Sequence, residues 1–130
     1  MPEDPDNLVK RQLQDWLETF DAETVSVAGI LCDQHAKDPE SIALLYEDAL
    51  GNRARYTFAQ LRDLSSRSAG ALKALGVTKG DRVATLLPKS PELLVTTLGL
   101  WRLGAAHVPL FTAFGPKAIT SRVENSQACV

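Results

Sequence analysis

GDRVATLLPKSPELLVTTLGLWRLGAAHVPLFTAFGP, residues 80–116, is the stretch on which the fold turns. An apolar run, Val83 to Leu87, stops at Pro88. Ser90, Pro91 and Glu92 then spell a helix start, because serine is a favoured cap and proline at the first helical position gives up no hydrogen bond. An apolar-faced segment follows to Gly104, and a second apolar run, Ala105 to Leu110, is interrupted by Pro109. The spacing predicts strand, helix, strand. Val83 to Leu87 and Ala105 to Val108 are therefore expected to be adjacent parallel strands joined by a right-handed crossover. Ligands of such sheets collect at the carboxyl ends of the strands. Those ends hold Lys89 and Ser90, and Phe111 to Phe114.

Upstream, Thr57 and Gln60 form a capping box that opens a helix. Phe58, Leu61, Leu64, Ser68, Leu72 and Leu75 trace its apolar stripe, and Gly76 is its stop signal. A turn, Thr78 to Asp81, leads from it to the central unit. Before the helix, Ile42 to Glu47 and Arg53 to Tyr56 read as an antiparallel hairpin around Gly51-Asn52. Another helix is expected after Thr24, with Val27, Ile30 and Leu31 inward and an end before Pro39. Val9, Leu13, Trp16, Leu17 and Phe20 recur at helical spacing. The polar face of that helix carries both signs of charge, so packing onto a domain is preferred to a membrane-surface role. Residues 1–7, acidic and proline-bearing, read as a mobile tail.

Downstream, Gly115-Pro116 opens a helix with Ile119, Arg122, Val123 and Ser126 on one side. Ala128 to Val130 then reads as the start of a third parallel strand. A domain rarely stops where a strand begins, so the natural protein is expected to continue past Val130, and the cut edge to be sticky enough for self-association.

The chain has 130 residues, 45% hydrophobic and 23% charged, the composition of one folded globular domain. A net charge of -2, with no basic cluster larger than a pair, gives no pull toward nucleic acid. The start lacks a secretion signal, and no apolar stretch approaches the roughly 18 residues of a membrane span. Two distant cysteines, Cys32 and Cys129, suggest no disulfide scaffold, which fits a reducing cytoplasm.

Site chemistry is sparse. Lys89 and Ser90 sit where free helix amides favour an anion, yet no glycine-rich loop accompanies them, so a capped helix beside a solvated lysine is the simpler reading. Gly76, Gly80, Gly99 and Gly104 form no nucleotide fingerprint and read as caps, a turn and a close-packing site. Cys32, Asp33 and His35 fall short of a metal set. His107 reads as a boundary histidine with one hydrogen bond, and Ser65 and Ser66 lie in a helix with no base nearby in sequence. Phe111 and Phe114 are the best candidates for a ligand wall.

YTFAQLRDLSSRSAGALKALGVTKGDRVATLLPKSPELLV, followed by LWRLGAAHVPLFTAFGP, resembles the amino-terminal portion of the adenylate-forming acyl-CoA synthetases, from about Asp21 to Val130. Tyr56-Thr57-Phe58 with Leu61 resembles the family's first core motif, and Leu103-Gly104-Ala105 with Val108-Pro109 its second. The segment Leu110 to Pro116 is similar to acetyl- and medium-chain acyl-CoA synthetases.

The resemblance implies an α/β fold: a partial parallel βαβ core with a β-hairpin and flanking helices, the amino-terminal subdomain of the adenylate-forming fold. Residues 1–20 would be a tail and amphipathic helix, and 21–130 an incomplete AMP-binding synthetase domain. It also implies a two-step reaction in fatty acid metabolism, in which a small carboxylate and ATP give acyl-adenylate with magnesium assisting, and coenzyme A then takes the acyl group.

The family's phosphate loop, aromatic-Gly-x-Thr-Glu motif, ribose-binding aspartate, hinge and terminal lysine are not in this sequence. No catalytic or metal-binding residue is therefore expected here, nor any cofactor bound by this chain alone. One binding segment carries over. The family's Phe-Gly-Gly-Phe-x-Pro lines the coenzyme A channel and matches Phe111, Thr112, Ala113, Phe114 and Pro116, with Thr112 and Ala113 replacing the glycines that permit close backbone approach. The rival readings are a free-standing α/β binding module without ATP chemistry and a small nucleotide-binding domain.

Overall fold

In the computed structural model, which describes residues 4–21 and 24–129, the elements run α1 (Pro5–Phe20), α2 (Val27–Leu31), one turn of 3-10 helix (Asp33–His35), β1 (Ile42–Glu47), β2 (Arg53–Thr57), α3 (Phe58–Ala74), β3 (Arg82–Thr85), α4 (Pro91–Arg102), β4 (Ala106–Pro109) and α5 (Pro116–Ser126). The strands form two separate two-stranded sheets. β1 and β2 are antiparallel, with Glu47 opposite Arg53 and an irregularity between Ile42 and Leu44. β3 and β4 are parallel, with Arg82 opposite Ala106 and Thr85 opposite Pro109. The expected parallel pair and the expected hairpin are both present.

The strands of the parallel pair are shorter than the apolar runs. β3 ends at Thr85, before Leu86 and Leu87, because the chain must leave the ladder to reach Pro88 and turn into α4. Pro109 stays inside β4: the amide of Leu110, not of residue 109, reaches the Thr85 carbonyl at 2.9 Å. Pro109 thus lacks a donor only on the outer edge, where proline blunts unwanted pairing.

α3 and α4 cross against each other and carry most of the core. Gly99 is the crossing point. A Cβ there would lie 2.7 Å from Ser68 Oγ and 3.1 Å from the Ala69 amide nitrogen, so no other residue allows this approach without movement. Leu100, fully buried, joins Val77, Val83 and Ala105 between the helices and the parallel sheet. Leu98, two residues and a little over half a turn away on α4, joins Leu61, Ala28 and Cys32 on the side of the hairpin.

Both helices end in the same way. Val77 donates to Leu72 and Gly76 to Lys73, and Ala105 donates to Leu100 and Gly104 to Trp101. Each is a Schellman cap with glycine at positive φ, 96° at Gly76 and 69° at Gly104. At the other end of α3, Thr57 and Gln60 make both bonds of the capping box.

Four expectations change. Residues 5–7 are helical rather than tail: Asp4 accepts from the Asp6 amide and Pro5 starts α1, while residues 1–3 lie outside the described residues. α2 follows Thr24 as expected, starting at Val27 with Ser26 as its cap. Its inward residues are Ala28 and Cys32, not Val27 and Leu31, which are exposed. The small residues face inward because α4 lies close. On α3, Ser65 and Ala69 are buried while Leu75 is exposed, since the helix has run past α4 by then. Ala128 and Cys129 are not a strand, although the Cys129 amide already donates to the Arg82 carbonyl at 2.9 Å; Val130 is not among the described residues.

The largest change concerns α1. None of its residues is buried and no described strand or helix packs along it, so its apolar stripe does not cover the domain as expected. No described helix is long and apolar enough to cross a membrane.

Candidate functional site

Two loops leave the carboxyl ends of the parallel strands. The first, from Leu86 to Ser90, leads into α4. Ser90 occupies the capping position, but its side chain makes no bond to a helix amide. The neighbouring Ser90 hydroxyl and the amide of Glu92 itself instead favour the ionised Glu92 carboxyl and hold it below its ordinary range. A carboxylate of the protein thus already sits at the positive end of α4, where an anion would otherwise bind. Lys89 is exposed beside it.

The second loop follows β4. Phe114 donates its amide to the Phe111 carbonyl at 2.9 Å, closing a turn over Thr112 and Ala113, both exposed. The two phenyl rings meet edge to face at 5.6 Å. The Arg122 guanidinium lies 3.9 Å over the Phe114 ring, a cation–π contact that ties the turn to α5. Phe111 remains 58% exposed, an apolar ring offered to whatever passes the strand end. Neither Thr112 nor Ala113 has positive φ: Gln127 is the one non-glycine residue with it among those described. The turn accepts these side chains without backbone strain.

His107, on β4 beside the first loop, is more embedded than one hydrogen bond implies. Its Nε2 lies 2.7 Å from Thr85 Oγ1 and its Nδ1 3.5 Å from Thr97 Oγ1. The Thr97 hydroxyl proton goes to the Leu93 carbonyl at 2.8 Å, so Thr97 can only accept from Nδ1, leaving Nε2 to accept from Thr85. Burial lowers the pKa of the ring, which keeps it neutral. Both nitrogens are committed, so the ring serves as a wall rather than a base. It closes one end of an apolar groove of about 430 Å³ lined by Leu44, Tyr46, Leu93, Leu94 and Trp101.

Cys32, Asp33 and His35 do not converge. Burial raises the pKa of the Cys32 thiol, which points at the Phe58 carbonyl at 3.6 Å, and the His35 ring packs against Phe58 at 5.0 Å. Asp33 instead pairs with Arg102, whose Nε also reaches the fully buried Ser65 hydroxyl at 2.9 Å. Arg102 went unnoticed in the sequence; its one signal is a charged residue closing an otherwise apolar helix. Among the described residues no three carboxylate, imidazole or thiol groups gather as a metal would need.

A strand–helix–strand unit with a hairpin at its side, glycine-capped helices and an aromatic turn after β4 is the arrangement that the family likeness implies. A model of the family described as AMP-binding enzyme matches residues 31–130. This chain belongs to the AMP-binding enzyme family. The acetyl-coenzyme A synthetase of Streptomyces coelicolor is 38% identical to this chain over 109 residues, 82% of this chain and 17% of that protein. The crystal structure of an acyl-CoA synthetase from Brucella canis matches with a TM-score of 0.77 at 42% identity, over 80% of this chain and 19% of that one. The NpsA N-terminal subdomain of Klebsiella oxytoca matches with a TM-score of 0.70 at 27% identity, over 79% of this chain and 26% of that one. The chain spans less than a fifth of the length of the curated relatives it matches.

Proposed function

We propose that this chain is the amino-terminal part of an ATP-dependent acyl-CoA synthetase, with residues 21–130 forming the first portion of its AMP-binding domain. The full enzyme joins a small carboxylate to AMP with magnesium and then to coenzyme A, in the cytoplasm. The observation that carries this reading is the match to an acyl-CoA synthetase structure at 42% identity over 80% of the chain. Phe111, Thr112 and Ala113 form a wall of the coenzyme A channel, and the exposed Phe111 ring supports that role. The chain has no cluster of described side chains suited to magnesium, and no glycine-rich loop for the ATP phosphates, so no chemical step is assigned to its residues. Adenylation needs several donors placed around the transferring phosphorus, and loss of one such donor alone costs about a hundredfold to a thousandfold in rate. The chain by itself is therefore inactive.

The test has two arms. Carboxylate-dependent exchange of labelled pyrophosphate into ATP, run with acetate, butyrate and octanoate, is expected at blank level for this chain. The chain is also fused in place of the matching segment of the Bacillus subtilis acetyl-coenzyme A synthetase, 42% identical over 101 residues, and exchange is expected to return. Exchange by the chain alone overturns the placement of the chemistry outside it. A folded but inactive chimera, beside an active control rejoined at the same boundaries, overturns the synthetase reading.

A further inference from the structure

One side chain holds the turn after β4 from behind. We propose that Arg122, stacked on Phe114, is the positioning residue that sets where the wall of Phe111, Thr112 and Ala113 stands; the proposal rests on the reading of that wall as one side of the coenzyme A channel.

Little else holds the turn. On its β4 side the Leu110 amide donates to the Thr85 carbonyl at 2.9 Å, and within it one bond runs from the Phe114 amide to the Phe111 carbonyl. Thr112 and Ala113 between them are exposed. On its α5 side Gly115 caps the helix without any side-chain bond, so no capping side chain draws the turn onto α5. The two rings meet edge to face at 5.6 Å. Phe114 is half-buried and Phe111 exposed, so whatever fixes Phe114 fixes Phe111 through that contact.

Arg122 is placed to do this. It lies on the second turn of α5, and its Nη1 donates back to the Ala118 carbonyl at 3.1 Å, one turn earlier. That bond lays the guanidinium toward the start of the helix, 3.9 Å from the centre of the Phe114 ring. Its planar group stacks on a ring face as a lysine ammonium does not. Among the described residues no carboxylate pairs with Arg122, so none draws its charge off the ring. An exposed cation–π contact of this kind shifts an equilibrium about two- to fivefold.

The experiment has two arms. On the full chain, proton NMR reads the stack itself: the Arg122 side-chain protons nearest the guanidinium are expected upfield of their ordinary positions, and back at them in Phe114→Leu. Ordinary positions in the wild type would overturn the proposal. The second arm measures both half-reactions of the Bacillus subtilis chimera. Pyrophosphate exchange needs no coenzyme A, so Arg122→Met is expected to leave it unchanged. The KM for coenzyme A in thioester formation is expected to rise about two- to fivefold with kcat held, the mark of binding lost without loss of chemistry. Phe114→Leu, which keeps the guanidinium and removes its ring, is expected to raise that KM at least as far, and the double variant no further than Phe114→Leu alone. A rise with Arg122→Met but none with Phe114→Leu, as a guanidinium touching the ligand would give, overturns the proposal. So do additive rises, and so does a parallel loss of exchange, the sign of general damage to the fold. A chimera without exchange overturns the synthetase reading and this proposal with it, whereas normal exchange with an unmoved KM in Arg122→Met overturns this proposal alone.

Discussion

Arg102 and Asp33, 69 residues apart, meet in a two-pronged ion pair, with Nη1 2.8 Å from Oδ2 and Nη2 2.5 Å from Oδ1. The pair ties the 3-10 turn to the end of α4, and through the Nε bond to Ser65 it also ties α3. The Arg102 side chain is 15% exposed and that of Asp33 35%, so the pair is partly shielded. Its hydrogen bonds contribute more than an open surface pair would and less than a dry one.

Replacing Arg102 with methionine should therefore lower stability by about 1–2 kcal/mol, allowing for solvent screening at Asp33. Urea denaturation would show a lower midpoint with an unchanged slope; an unshifted midpoint removes the claim that three elements are held here.

Acid should reveal the same pair. The hydrogen bond from Arg102 is the main cause that lowers the Asp33 pKa. A lowered carboxylate contributes stability that is complete above its unfolded pKa, about 3.9, and is lost as pH falls through the lower folded value. Between pH 5 and pH 2 the wild type should lose more stability than Asp33→Asn does. Equal losses would show that the pair carries no proton linkage.

His107 should add a separate slope nearer neutrality. Its folded pKa lies below the unfolded value of about 6.5, so the unfolded chain binds the proton first. Stability is complete above that pH and erodes as pH falls toward the folded value. His107→Gln should flatten the decline between pH 7 and pH 5, as followed by thermal melts in non-interacting buffers.

The two caps invite a contrast. Thr57 makes a complete capping box, so Thr57→Ala should cost about 1 kcal/mol. Ser90 makes no bond to a helix amide, and Ser90→Ala should cost less than about half of that. Denaturation midpoints for the two variants, measured side by side, decide it; equal costs would mean that the Ser90 hydroxyl turns to the helix in solution.

The crossing of α3 and α4 makes the sharpest steric demand. Gly99→Ala places a methyl group 2.7 Å from Ser68 Oγ and 3.1 Å from the Ala69 backbone. Serine can rotate away and backbone cannot, so the variant should lose about 1–3 kcal/mol. Ser68→Gly in the same chain should recover only part of it, as a thermal melt of the double variant would show.

What the sequence disclosed was local. The capping box at Thr57, the stops at Gly76 and Gly104, the Gly51-Asn52 turn and the parallel pair all rest on signals within a few residues. What it concealed depends on partners far along the chain. The face of α2 differs from expectation because close approach to α4 selects Ala28 and Cys32 over larger neighbours. The Arg102 tie spans the 3-10 turn to α4, and no spacing rule pairs such residues. Ser90 has every mark of a cap, yet its side chain makes no bond to a helix amide. The stripe of α1 is plain in the sequence, but periodicity says only that a face is apolar, never what meets it. At the candidate site, Phe111 and Phe114 could be singled out as aromatics at a strand end, whereas the hold of Arg122 on their turn appears only in three dimensions.

The bond from Cys129 to Arg82 has one more implication. Along β3 the carbonyls alternate: those of Asp81 and Thr85 accept from β4, so that of Arg82, which accepts from Cys129, points to the opposite edge. The chain runs outward from β3 to β4 through α4 and returns through α5 to the far side of where it started. Winding in two directions from one strand requires the two connecting helices to lie on opposite faces of the sheet, if both crossovers keep the usual hand. In doubly wound proteins a strand from which neighbouring connections diverge in this way marks the switch point at which such sheets seat their ligands.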